Sequence, residues 1–313
     1  MSMFVHEGWE TNWAKTGHNF YMLNSPERKN GWKSKEREMP NNYVHTSLDS
    51  AYDLLINKKI DAVVCHTPIE QRKICEQIVN KNSLPLIEMN HCLPYYKWPK
   101  EAIIELKKRS IADAHVFTTE EQARMWGYSP GSRGVFICNH AVDMDVFKLG
   151  YTGENETVLS VAYDFKEREE ILGYDLWNSV TKKFNRLHIG NGEEETLATA
   201  AELANDYYIN NRVFINTAKY STLPTSMLEA MACGMPVITV NGPNLRSIFK
   251  NKENCIIEDD PFEIMRWIAI FMNNKKFAVD IGLSGNSVCK HFFDGVVFKK
   301  VWNEVFNYVI KGK

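Results

Sequence analysis

Residues 221–240 read STLPTSMLEAMACGMPVITV, and the way this stretch parses decides the fold. Thr225 and Ser226 open a helix that carries Glu229, and Ala230, Ala232 and Gly234 keep it slim enough to pack closely on a sheet. Pro236 ends it, and Val237 to Val240 predicts the next buried parallel strand. Such a helix start aims free backbone N–H groups and a positive dipole end at the crevice beyond the sheet. An anion fits there, with Glu229 placed for the hydroxyls of an attached ribose. Ser226-Met227-Leu228-Glu229 also spells S-x-x-E, a capping box, in which both side chains merely close the helix end.

The strand–helix rhythm extends outward in both directions. Upstream, Met3–His6, Phe20–Leu23, Ile60–Cys65, Leu84–Met89, Ala114–Thr118 and Gly134–Cys138 read as strands, with the amphipathic segment Ile69–Asn80 between two of them. Residues 24–43, with Pro26, Gly31, Pro40 and many charges, read as a long mobile surface loop. Gly150 and Gly153 mark a linker at 148–156. Beyond it, strands at Val158–Ala162, Arg186–Ile189, Val213–Asn216, Pro236–Val240 and Cys255–Glu258 alternate with helices. These lie near Leu172–Phe184, at Glu194–Ala204, at the quoted stretch, and from Phe262, Lys275 and Val297. The alternation predicts an α/β protein of parallel sheets in two domains, 1–147 and 157–313, a division that suits 313 residues.

The formal charge is −2 and neither half carries a basic excess, which argues against a strong binder of nucleic-acid backbone. The longest apolar stretch, Ile264–Met272, is interrupted by Arg266 and too short for a membrane span, and no signal peptide precedes the first strand. Seven cysteines form no CxxC pair and sit mostly in apolar settings, as reduced core thiols do. A cytoplasmic location is expected, with at most peripheral membrane contact. Histidine is sparse and no HExxH-like cluster occurs, so no metal site is expected.

The run LEAMACGMPVI at 228–238 resembles the signature of the retaining glycosyltransferases of family 4, the glycosyl transferases group 1. Asn139-His140-Ala141-Val142-Asp143-Met144-Asp145-Val146-Phe147 resembles that family's NGVD-x-x-x-F segment at its domain junction. The resemblance covers nearly all of the chain, more strongly in the second half. It implies the GT-B fold: two Rossmann-like domains with parallel sheets, a cleft between them, and a closing helix, here Val297–Ile310, that packs back on the first domain. It also implies a hexosyltransferase that needs no cofactor and no metal, with a UDP- or GDP-linked sugar as co-substrate.

Carried over position by position, the resemblance picks out four regions. Where the family has GR-x-x-x-x-KG to hold the diphosphate, Ala162, Tyr163 and Leu172 replace Gly, Arg and Lys, leaving Lys166 and Arg168 as candidate cations. Gly190-Asn191-Gly192 resembles the family's G-x-G, making Gly190 and Asn191 donor-site candidates, although a plain turn explains GNG equally well. The E-x7-E pattern is half present: Ser221 stands at its first position, as a weaker partner for a sugar hydroxyl, and Glu229 at its second. The N–H groups of Leu223 and Thr225, with the hydroxyls of Thr225 and Ser226, are candidates for the distal phosphate. In the first half, Pro85 to His91 resembles the strand that delivers a histidine near the reacting sugar, so His91 is the catalytic candidate, His66 its rival, and Gly8 a loose match to a close-approach glycine. Pro94 to Lys100, followed by Lys107, Lys108 and Arg109, mixes aromatic rings with basic charge, as sugar-stacking and base-stacking surfaces do.

A surface glycan or glycolipid is the expected acceptor, with a hydroxymethylated base in DNA as the alternative. Tyr163, Leu172 and Ser221 also keep open a degenerate GT-B protein that binds nucleotide or sugar without turnover. A sugar-nucleotide epimerase would need acid/base carboxylates that the sequence does not identify.

Overall fold

The apolar runs pair as parallel strands in two separate sheets, one in each of two units of the chain. The computed structural model describes residues 1–23, 32, 37–66, 69, 71–190, 197–243 and 245–312. Unit 1 comprises Met1–Ala141 and Gly295–Lys313, and unit 2 is Val142–Asp294.

In unit 1 the elements are β1 (Ser2–Met3), α1 (Glu7–Ala14), β2 (Phe20–Leu23), β3 (Tyr43–Thr46), α2 (Leu48–Ile56), β4 (Val63–Cys65) and α3 (Arg72–Asn82). They continue with β5 (Leu86–Asn90), α4 (Lys100–Lys108), β6 (Ala114–Phe117), α5 (Glu120–Met125) and β7 (Val135–Ile137). The strands lie in the order β3-β2-β1-β4-β5-β6-β7, and every pairing among the described residues is parallel. Trp13, Met22, Ile87, Met89 and Val116 build one core of this sheet. The last helix of the chain, Gly295–Lys311, adds Phe298, Trp302, Val305, Phe306 and Val309 to that core, a spacing that puts all five on one helical face.

Unit 2 runs β8 (Asn155–Val161), α6 (Glu169–Leu172), α7 (Tyr174–Thr181), β9 (Arg186–Ile189), α8 (Ala200–Glu202), β10 (Asn211–Asn216), α9 (Thr225–Ala232), β11 (Val237–Thr239), β12 (Ile256–Ile257), α10 (Pro261–Asn273) and α11 (Lys275–Phe292). Its sheet, ordered β12-β11-β10-β8-β9, is also parallel. Both faces are covered. Leu159, Phe214, Val237 and Ile257 enter one core, while their chain neighbours Val158, Val213, Ile238 and Ile256 enter the other. This period-2 division of apolar residues is why the strands read as unbroken hydrophobic runs.

Three expectations need correction. Of the helix expected at 194–204, residues 194–196 lie outside the described residues, 197–199 are not helical, and the helix runs from Ala200, where Thr199 caps it in a full capping box with Glu202, into a π-helical turn over Leu203–Tyr208. The helix expected near 172–184 is two helices, because Gly173 adopts a left-handed conformation between α6 and α7. The segment read as a loop over 24–43 ends in strand β3, which pairs with β2 from Phe20↔Tyr43 to Leu23↔Thr46; residues 24–31 and 33–36 of that loop lie outside the described residues.

In unit 2, α11 crosses the end of α9 at Gly282, where an added Cβ would collide with the carbonyl of Gly234. Backbone cannot yield as a side chain can. Gly282→Ala is therefore expected to lower the unfolding free energy by about 1–3 kcal/mol. Gly295→Ala, which meets nothing within 4 Å, should stay within about 0.5 kcal/mol of the parent. Denaturant midpoints at unchanged m-value measure both.

Candidate functional site

The strand order of unit 2 creates a switch point between β8 and β10, whose connections leave to opposite sides; in open parallel sheets ligands settle beyond the carboxyl ends at such a point. The start of α9 lies in the loop that leaves β10. Its N-cap position is Pro224, which has no side-chain hydrogen bond to offer, so S-x-x-E does not form a capping box here. Ser226 sits two residues inside the N-cap position. Its hydroxyl donates to the Val161 carbonyl at 3.0 Å, tying α9 to the end of β8. Glu229 accepts from the hydroxyl of Tyr208 at 3.2 Å. Tyr208 is fully buried at the end of the π-helical turn, packed between Phe147 and Phe214. Thr225 is exposed, Ser221 is half-buried, and the Leu223 side chain is in the core.

The loop leaving β8 is anchored by Phe165, buried against Tyr174 and Trp177. Lys166 and Arg168 are both exposed, the former 6.0 Å from the Tyr174 ring centroid. The loop is fastened to the exit of β10. Thr217 Oγ1 donates to the Leu172 carbonyl at 2.9 Å, and the Lys219 N–H donates to the Ile171 carbonyl at 2.8 Å. Lys219 thereby runs past Gly173, with its ammonium 3.6 Å from Glu169. At the end of β9, Gly190 holds φ +146°, and a Cβ there would collide with the Ala162 carbonyl, so this glycine is required by the close approach of two strand ends. Asn191 lies outside the described residues.

Unit 1 has its own switch point, between β1 and β4. Four histidines follow the ends of its strands: His6 after β1, His66 after β4, His91 after β5 and His140 after β7. His6 caps α1 through Nδ1, which accepts from the Trp9 N–H at 3.2 Å. Trp9 is the hub, edge-on to His91 at 4.5 Å between centroids, to His140 at 5.6 Å and to His66 at 6.1 Å. His66 Nδ1 and His91 Nε2 are 3.0 Å apart. The two rivals of the sequence are thus in contact. Burial pushes the imidazole of His66 down to about 3, with the charge of His6 adding to the effect, and burial alone pushes His140 down to about 4. Gly8 lies inside the first turn of α1 rather than in the preceding turn, and a Cβ there meets only ordinary contacts of 3.5 Å and longer.

Tyr95 and Tyr96 are exposed beyond β5, with Lys97 Nζ at 6.0 and 5.2 Å from their centroids. Among the described residues no group of three or more His, Cys, Asp or Glu is placed to hold a metal ion, and no helix is long and apolar enough to cross a membrane. Six cysteines are buried thiols and Cys92 is an exposed one. Of the residues in these two sites, Trp9, Tyr208 and Lys219 carry no signal in the sequence. His140 stands inside the NHAVD segment, whose resemblance gives it no role of its own.

Residues 190–287 match the family described as Glycosyl transferases group 1. A curated relative, an uncharacterized glycosyltransferase of Haemophilus influenzae, is 28% identical over 192 residues, which are 53% of this chain and 53% of that protein. The match therefore spans about half the length of the relative. Among solved structures, the sucrose-phosphate synthase of Thermosynechococcus elongatus superposes with a TM-score of 0.74 at 12% identity, over 97% of this chain and 92% of that one. A glycosyltransferase from Rickettsia africae gives 0.74 at 12% identity, over 100% and 98%. Anabaena HepE in complex with UDP and glucose gives 0.69 at 12% identity, over 98% of both chains. The fold is that of the GT-B glycosyltransferase structures, two Rossmann-like α/β domains with parallel sheets.

The neutral histidines of unit 1 make a measurable demand on pH. His140 has its folded value lowered to about 4 from an ordinary 6.5, so between those limits the unfolded chain binds the extra proton. Its contribution is fully present above pH 6.5 and declines on acidification by about 1.4 kcal/mol per pH unit. In denaturant unfolding between pH 6.5 and 4.5, His140→Asn is expected to flatten the loss of stability by roughly that slope.

Proposed function

We propose that this protein is a retaining glycosyltransferase that moves a hexose from a nucleotide diphosphate sugar to a hydroxyl acceptor, with unit 2 holding the donor. One observation carries the reading. At the switch point of unit 2 the N-cap position of α9, Pro224, makes no side-chain cap hydrogen bond, and Glu229, one turn further on, accepts a hydrogen bond from Tyr208. A helix start left open in this way is a site for phosphate oxygens, and Glu229 takes the ribose hydroxyls. The match of residues 190–287, which include α9, supports the same assignment, and the UDP named for HepE favours UDP over GDP.

The charge on the departing diphosphate is met by the dipole and N–H groups of α9, by Lys166 and Arg168, and by Lys219, which lies beside Leu172-Gly173, where the resembling family has Lys-Gly. Ser221 offers a hydroxyl where a carboxylate stands in the E-x7-E pattern, so no covalent glycosyl intermediate is assigned to it. The bond between the anomeric carbon and the diphosphate oxygen breaks, the acceptor oxygen bonds to that carbon on the same face, and the acceptor proton passes to the departing phosphate oxygen. His91 serves the transferred sugar or aligns the acceptor. Exposed Tyr95 and Tyr96 suit a glycan or glycolipid acceptor by stacking, and the near-neutral charge weighs against duplex DNA. The buried thiols suit a reducing, cytoplasmic setting.

Titration of UDP into Glu229→Ala is expected to show binding weaker by about 1.5–3 kcal/mol, the range for hydrogen bonds to a charged group. Tyr208→Phe, which leaves the carboxylate but frees its orientation, should lose about 0.5–1.5 kcal/mol. Unchanged affinity with a lowered melting temperature in both variants would return the pair to a structural role.

The proposed diphosphate contacts are all protein groups. Sugar transfer from the preferred nucleotide sugar is accordingly expected to continue in excess EDTA. Complete loss on chelation, with recovery on adding Mn²⁺, would overturn that part of the reading.

A further inference from the structure

His66 and His91 are brought together by neighbouring parallel strands, β4 and β5, registered from Val63↔Leu86 to Cys65↔Glu88. Their rings are tilted by 37°, and the 3.0 Å between His66 Nδ1 and His91 Nε2 is a hydrogen-bond distance. Two bare ring nitrogens would repel at that separation, and two N–H groups would collide, so one proton lies between them. Which ring owns it follows from the other side of His66. His66 is fully buried, edge-on to Trp13 at 4.8 Å and to Trp9 at 6.1 Å, and its Nε2 is buried without a hydrogen-bond partner among the described residues. A charged imidazole is not stable in that aromatic setting, so His66 carries a single proton. On Nε2 that proton would be an orphaned buried N–H, a rare and costly arrangement. On Nδ1 it fills the bridge.

We propose that His66 is a positioning residue for His91: its Nδ1–H donates to His91 Nε2 and fixes His91 as the tautomer protonated on Nδ1. His66 also holds the His91 ring in place, while its own backbone N–H is held by Gln71 Oε1 at 3.0 Å. The consequence for catalysis rests on the role given to His91 above: His91 meets the sugar or acceptor as a neutral hydrogen-bond donor through Nδ1, never through Nε2. The tautomer itself does not depend on that role.

The test reads the two separately. Long-range ¹H–¹⁵N correlation of the histidine rings in the intact protein near pH 7.5, with His91→Ala assigning the signals, reports which nitrogen of His91 is protonated. The expected pattern is a protonated Nδ1 and a bare Nε2 in the parent. His66→Leu should shift His91 to the Nε2–H form that free imidazole favours, and His66→Asn, whose amide can donate from near the position of Nδ1, should keep the parent pattern. Parent His91 protonated on Nε2 would overturn the proposal without any variant having to fold, and so would a pattern unmoved in a folded His66→Leu protein. In transfer assays His66→Leu should lower kcat by roughly tenfold, as loss of an orienting partner commonly does, with KM for the nucleotide sugar little changed and His66→Asn recovering most of the rate. Absence of transfer in the parent protein with every nucleotide sugar would reject the glycosyltransferase reading and leave the tautomer result standing.

Discussion

Everything proposed for unit 2 depends on how closely one short helix can be pressed into the protein. α9 buries Met227, Leu228, Ala230, Met231 and Ala232. Its far end is clamped by α11: Asn286 Nδ2 donates to the Ala232 carbonyl at 2.5 Å, and Cys289 Sγ to the Leu228 carbonyl at 3.4 Å. The first of these satisfies a carbonyl at the C-terminal end, where a helix otherwise leaves it without a partner, and the second adds a contact to a carbonyl inside the helix. Gly282 allows the α11 backbone to come against the Gly234 carbonyl. With one end fixed by α11 and the other tied to β8 through Ser226, the axis of α9 has little freedom. Its dipole and first N–H groups are therefore aimed largely by packing.

That constraint also explains the position of Glu229. A carboxylate at a helix start is drawn to the free N–H groups, which would consume it as a cap. Here Pro224 starts the helix and Glu229 is a turn inside, where Tyr208 gives it a hydrogen bond. Tyr208 reaches it only because the helix before β10 ends in a π turn, and such turns, costly in backbone geometry, recur at functional sites. A regular α-helical continuation from Thr199 would rotate Tyr208 relative to α9. The irregular turn and the poised carboxylate are therefore one feature.

What could be read in the sequence follows from where its information is local. α9, β2, β9 and the starts of α10 and α11 are signalled by caps, prolines and unbroken apolar runs, and they lie within a residue or two of expectation. β3 and α2 were missed because they sit at the sheet edge and leave Val44, Leu48, Tyr52 and Ile56 exposed, which blurs the pattern of buried and exposed positions. The start of α8 was legible in principle, since Thr199 and Glu202 spell a capping box. The site residues divide the same way. Glu229 and His91 lie in recognisable local strings. Trp9, His66 and His140 meet only because a parallel sheet lines up strand ends that are tens of residues apart, and no local pattern encodes that convergence.

The cations of unit 2 show the same principle acting on charge. Leu172 occupies the position where the resembling family places a lysine, and its carbonyl is used to dock the exit of β10. That docking brings in Lys219 from a different loop, so a positive charge returns to the neighbourhood of Gly173 from another strand end. The replacement is not equivalent. Lys219 is half-exposed and shares its charge with Glu169, and Lys166 and Arg168 are exposed among acidic neighbours, so solvent screens all three. In the reaction proposed above, a screened ammonium would stabilise the leaving group less than a buried one, which would shift the larger part of that task to the fixed dipoles at the start of α9. On that proposal the packing that aims this helix, including the contacts of Gly282, Asn286 and Cys289 far from the helix start, would be part of the chemistry of the site.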